Sequence, residues 1–148
     1  MGYALSLHML AAIIWVGGMF FAHWVLRPAA VFLPPAERLS LMQQVFARFF
    51  PWVWGALLTL LVTGYWLFLG PMQGHGGWHV HLMAAVGVLM AVIFAYIYFI
   101  PYRRFVGLMA REDFGVAAGM LARIRLLILT NLLLGLVLSG SGVLGRFV

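Results

Sequence analysis

Four stretches of the chain contain no Asp, Glu, Lys or Arg: Tyr3 to Leu26, Phe49 to Leu69, Val80 to Ile100 and Leu126 to Leu144, of 24, 21, 21 and 19 residues. At about 1.5 Å of rise per residue, each would make a helix of about 28 to 36 Å, enough to cross a hydrocarbon layer of about 30 Å. Only 8% of the residues are charged, against about 25% in a domain that must face water on all sides. In lipid every backbone N–H and C=O must find its partner inside the segment, and the helix is the solution open to runs of this length. The expectation is an all-α integral membrane four-helix bundle. It forms a single transmembrane domain over 1–148 with helices at about 3–26, 45–69, 79–100 and 116–144. The lipid bilayer is its solvent. The N-terminal run lacks the basic flank and short apolar core of a cleaved signal, so it reads as a retained helix.

The runs are punctuated by Arg27-Pro28 and Pro34-Pro35, by Gly70-Pro71 with Gly74, Gly76 and Gly77, and by Pro101, residues that end helices or permit turns. Arg27, Glu37, Arg38 and Arg48 fall between the first two runs. Arg103, Arg104, Arg111, Glu112, Asp113, Arg123 and Arg125 fall between the last two, and the second gap has no charge. Short Arg-rich loops stay in the cytoplasm, so both basic loops are expected inside, with the two termini and the Gly-rich loop outside. The net charge of +6 is thereby explained without nucleic acid, for which a basic stripe interleaved with exposed aromatics would be needed. Pro35 opens a segment with Leu39, Met42, Val45 and Phe46 at helical spacing, so the second helix should start before the membrane. Asp113 is placed to cap an early start of the fourth, and Pro51 should kink the second.

Four of the five histidines gather at the outer face: His8 in the first helix, His75 and His79 before the third, and His81 near its start. An ionisable side chain within a span is a functional candidate by default. On the first helix His8, Ala12, Trp15 and Met19 recur at three- and four-residue spacing and share a face, with small Ala12 beside His8. On the third, His81 is followed by Ala84 and Ala85. Two imidazoles at similar depth on different helices of a bundle can supply both axial ligands of a haem. A haem b between the first and third helices would use His8 and His81, border Ala12 and Trp15, and find a propionate partner in Arg146. As a metal site, His8 and His81 would be joined by His79 and His75, and Met9, Met72 and Met83 are near enough for a soft copper centre. His23, about 22 Å from His8 on the same helix, reads as interfacial.

Other chemistry is excluded by what is missing. There is no Cys, hence no disulfide, thiolate ligand or iron–sulfur cluster. There is no paired carboxylate in a span, no H-E-x-x-H and no phosphate loop. Asn131, the one amide in the spans, reads with Thr59, Thr63 and Thr130 as a tie between helices. Gly135, Ser139 and Gly142 form a ridge suited to close helix contact or to a homodimer through the fourth helix.

Several fragments in order carry a resemblance: Leu7-His8, Trp15-Val16-Gly17-Gly18-Met19-Phe20, Arg27-Pro28, Arg48-Phe49, Thr63-Gly64, His79-Val80-His81-Leu82-Met83, Pro101, Arg123-Ile124-Arg125, Asn131-Leu132, Leu134-Gly135 and Gly145-Arg146. Together they resemble the copper resistance protein D (CopD) family of bacterial inner-membrane proteins over nearly the whole chain. The resemblance implies a multi-pass protein of the bacterial inner membrane, with copper import or export as its activity. The first helix is also similar to the HemJ family of protoporphyrinogen oxidases, in which a first-helix His and a third-helix Lys matter and haem b is bound. His8 fits the first position, His81 stands near the second, and the chain has no Lys. The leading expectation is a haem b protein for electron transfer, or a haem-dependent membrane oxidoreductase that oxidises a membrane-soluble or periplasmic reductant, with the redox partner or quinone left open. Copper binding and transport is the alternative, and a metal-free scaffold subunit is a third.

Overall fold

The computed structural model describes residues 2–70 and 77–144, and among them every regular element is helical. Four helices are long and apolar enough to cross a membrane. We label them α1 (Gly2–Phe32), α2 (Pro35–Leu69), α3 (78–110) and α4 (Phe114–Leu144).

Cross-helix contacts fix an antiparallel bundle. His8 and Gly18 of α1 meet Thr63 and Phe49 of α2. Phe46 and Trp54 of α2 meet Tyr102 and Tyr98 of α3. Met90 and Tyr96 of α3 meet Asn131 and Arg123 of α4. One end therefore holds the α1–α2 and α3–α4 turns, and the other holds the start of α1, the end of α2, the start of α3 and the end of α4.

Both turns are written locally. Pro35 occupies the first turn of α2, where its missing N–H costs nothing, with Glu37 beside it at the positive end of the helix dipole. Leu39, Met42 and Phe46 are buried, so α2 begins before the charge-free run, as the spacing predicts. At the other turn Glu112 takes a left-handed φ of 56°. The Glu112 and Asp113 N–H groups donate to Met109 O and Leu108 O, both at 3.1 Å, closing a Schellman stop. Asp113 Oδ1 then accepts from Val116 N at 3.3 Å and caps α4.

Prolines behave differently from the sequence expectation. Pro28 and Pro101 do not end their helices. Instead α1 widens to a π turn over Ala22–Leu26 immediately before Pro28, and α3 does so over Tyr98–Tyr102 around Pro101. The wider turn takes up the bond that each proline ring removes. α2 continues as α-helix through Pro51.

The core is a column of rings between α2 and α3. Phe46 stacks on Phe50 at 5.1 Å. Phe50 meets Tyr102 edge-on at 4.8 Å, Trp54 meets Phe94 at 5.1 Å, and Trp15 of α1 closes on Phe94 at 6.1 Å. On the fourth side Gly135 lets α4 approach: a Cβ there would stand 2.8 Å from Val16 and 3.1 Å from Met90. Gly135 is thus used for packing inside the chain. The outward residues, among them Leu58, Val62, Leu133 and Val137, are apolar, as a lipid-facing surface requires.

Candidate functional site at the His8 end

His8 lies half-buried on α1, with Nδ1 2.8 Å from the Oγ1 of Thr63 on α2. The Thr63 hydroxyl donates its proton to the Thr59 carbonyl at 2.6 Å, the back-bond a helical Thr usually makes. With that proton committed, Oγ1 can only accept, so His8 donates from Nδ1–H and its Nε2 carries the free lone pair. This is the arrangement that orients metal-ligating imidazoles: one nitrogen anchored to an acceptor, the other without a hydrogen-bond partner among the described residues. Gly64 makes room for the ring, since a Cβ at that position would lie 3.3 Å from His8 Cε1.

His81 is exposed near the start of α3, and its ring meets Phe68 of α2 edge-on at 5.5 Å. His8 and His81 therefore border the same stretch of α2, from Thr63 to Phe68, which spans about 7 Å along the axis. Thr63 and Phe68, five residues apart, lie about 140° apart around α2, so the two imidazoles meet it at one level from different sides. Ala12 is half-buried one turn below His8. Trp15, a further turn below, is buried against Phe94 and belongs to the core under the site. His75, Met72 and Arg146 lie outside the described residues, as does the side chain of His79. Among the described residues no group of three or more His, Cys, Asp or Glu converges.

Sequence reading treated Thr63 as a helix tie and missed it as the partner of His8. A signal was present. His8 is five residues in from Tyr3, and Thr63 six back from Leu69, so antiparallel neighbours would bring them to one level. Asn131 does act as a tie: it is buried and donates from Nδ2 to Met90 O at 3.1 Å, while its Oδ1 is buried without a hydrogen-bond partner among the described residues.

No family model, curated protein or solved structure matches the chain. Function must be argued from these residues.

At the loop end of the bundle the structure assembles a second polar region. His23 and Arg27 of α1, Met42 and Phe46 of α2, and Arg125 and Ile128 of α4 surround one small cavity. A larger one of about 310 Å³ is lined by Pro35, Arg38 and Leu39 of α2 and by Phe114, Gly115, Ala118, Leu121 and Arg125 of α4. Sequence reading counted Arg125 among the loop charges. Its half-buried position follows from the buried Leu121, Ile124 and Ile128, which place residue 125 beside the inward face of α4.

Proposed function

We propose that the chain is a multi-pass protein of the bacterial inner membrane that binds one haem b at the His8 end and works in electron transfer or oxidation of a membrane-soluble or periplasmic reductant. The termini and the 70–77 segment then face the periplasm, because the opposite end carries the arginine-rich turns. The observation that carries this reading is the contact of His8 Nδ1 with a Thr63 hydroxyl that itself lies 2.6 Å from the Thr59 carbonyl. Thr63, its own proton given to Thr59, holds Nδ1–H and leaves Nε2 as a ready ligand at an apolar end of the bundle. Imidazole nitrogens are common axial ligands of haem iron in helix bundles. His8 would supply one from α1 and His81, at a similar level on α3, the second. The bound haem would supply a one-electron couple, and the protein would tune it through the anchored imidazole and the low dielectric around it. The resemblance of the His8 and Trp15–Phe20 segments to haem-binding and copper-handling membrane proteins supports a metal at this end.

The test is expression with haem supplied, purification in detergent, and measurement of the Soret band and haem stoichiometry. One haem per chain is expected, with loss of the band in His8→Ala and weakened or altered ligation in His81→Ala. A colourless wild-type protein that binds copper stoichiometrically through His8 would replace haem by copper. Retention of haem by His8→Ala would overturn the assignment.

A further inference from the structure

We propose that Arg125, Arg38, Arg27 and His23 form a binding site for a phosphate group at the loop end of the bundle, between α1, α2 and α4. Three helices bring these side chains to two adjoining cavities, and Arg125 lines both. The charges of Arg27 and Arg38 act on Arg125, and those of Arg27 and Arg125 on His23, so like charges are held together. The chain's three carboxylates, Glu37, Glu112 and Asp113, are all exposed.

Topology alone does not require this. Arginines free in the loops would satisfy the inside-positive rule equally well, and three others find partners suited to an exposed cation. Arg123 donates to Tyr96 Oη at 2.9 Å, Arg48 donates to Gln44 at 3.3 Å, and Arg103 lies over the Phe99 ring at 5.2 Å. Arg125 differs: its Nε is buried without a hydrogen-bond partner among the described residues. A guanidinium offers five donors in a planar fork that matches phosphate oxygens, and a desolvated donor left unmade is costly.

The cavity leaves room for the acceptor which that fork lacks. Its walls include Pro35 and Arg38 from the first turn of α2 and Phe114 and Gly115 from that of α4. Its volume of about 310 Å³ equals that of about ten liquid waters at ~30 Å³ each, ample for a phosphate group. Leu39, Phe114, Leu121 and Ala118 make the rest of the wall apolar, which suits a phosphate carried on an acidic phospholipid. The same fork would also hold a free phosphomonoester.

The experiment uses the full-length protein in neutral detergent and titrates phosphatidylglycerol against phosphatidylcholine, counting retained lipids by native mass spectrometry. Selective retention of phosphatidylglycerol is expected, weakened about tenfold or more in Arg125→Gln and in Arg38→Gln. The exposed turn variant Arg111→Gln should leave it unchanged. Arg38→Gln keeps the test valid should Arg125→Gln fail to fold, and thermal melting with and without lipid checks each variant. Displacement by millimolar inorganic phosphate would make the free anion a ligand of the same site, whereas resistance to it assigns the lipid headgroup. Equal losses in Arg125→Gln, Arg38→Gln and Arg111→Gln would mean diffuse charge attraction, and equal retention of the two lipids would mean no anion recognition; either overturns the proposal.

Discussion

Replacing Thr63 by Val removes one oxygen and keeps the shape of the side chain, so it isolates the contact that orients His8. In the native structure Oγ1 accepts from Nδ1 at 2.8 Å while donating to Thr59 O at 2.6 Å. In Thr63→Val the Nδ1–H loses its acceptor, and the proton is free to move to Nε2. A hydrogen bond between membrane helices averages ~0.6 kcal/mol and reaches ~1.7 kcal/mol. At about 1.4 kcal/mol per factor of ten, the ratio of Nδ1–H to Nε2–H tautomers should fall about 3- to 17-fold. Unfolding stability should fall by the same ~0.6 to 1.7 kcal/mol. Histidine-selective isotope labelling and nitrogen NMR of the metal-free protein in micelles report the tautomer, with His8→Ala assigning the resonance. Thr63→Ser, which restores the hydroxyl, should restore the native ratio. If the His8 nitrogen shifts are the same in wild type and Thr63→Val, the hydroxyl does not set the tautomer and the argument for an open Nε2 fails.

Gly135→Val should destabilise the bundle by about 1 to 3 kcal/mol, because the new Cβ would meet Val16 at 2.8 Å and Met90 at 3.1 Å. Gly119→Ala, with nothing within 4 Å, should instead gain up to about 1 kcal/mol of helix propensity; equal melting temperatures for the two would contradict the packing described for α4. Asn131→Leu should stay within about 1 kcal/mol of wild type in denaturant unfolding, since the lost bond to Met90 O is offset by removal of the buried, unpartnered Oδ1. A loss of several kcal/mol would reveal a strong partner for that oxygen.

What the sequence discloses is what it encodes locally. The charge-free runs identify four helices because lipid leaves an apolar run of that length no other way to satisfy its backbone. Pro35 and Asp113 mark true helix starts because a first turn has unpaired N–H groups wherever it occurs. Pro28 and Pro101 mislead because the effect of a proline depends on the turn around it, and a π turn keeps the helix going. His8 is legible as a candidate, but its orientation is set by Thr63, 55 residues away in sequence, and no local pattern records which hydroxyl a ring will face. Arg125 is hidden for a related reason: its neighbours in sequence are loop-like charges, while its neighbours in space come from α1 and α2. Gly135, legible as a contact surface, turns out to meet Val16 and Met90 of its own chain.

The π turns of α1 and α3 have an angular consequence. Each inserts one residue beyond what a regular helix would use, and one residue is about 100° of rotation. Excising a single residue from Ala22–Leu26 would turn the wide turn into a regular one and leave Arg27 facing as it does, whereas closing the turn to α geometry with every residue kept would swing Arg27 about a quarter of the way around its axis. The bulge works as a phase shifter, letting one rod present His8 toward α2 at its far end and a guanidinium toward α4 at its near one.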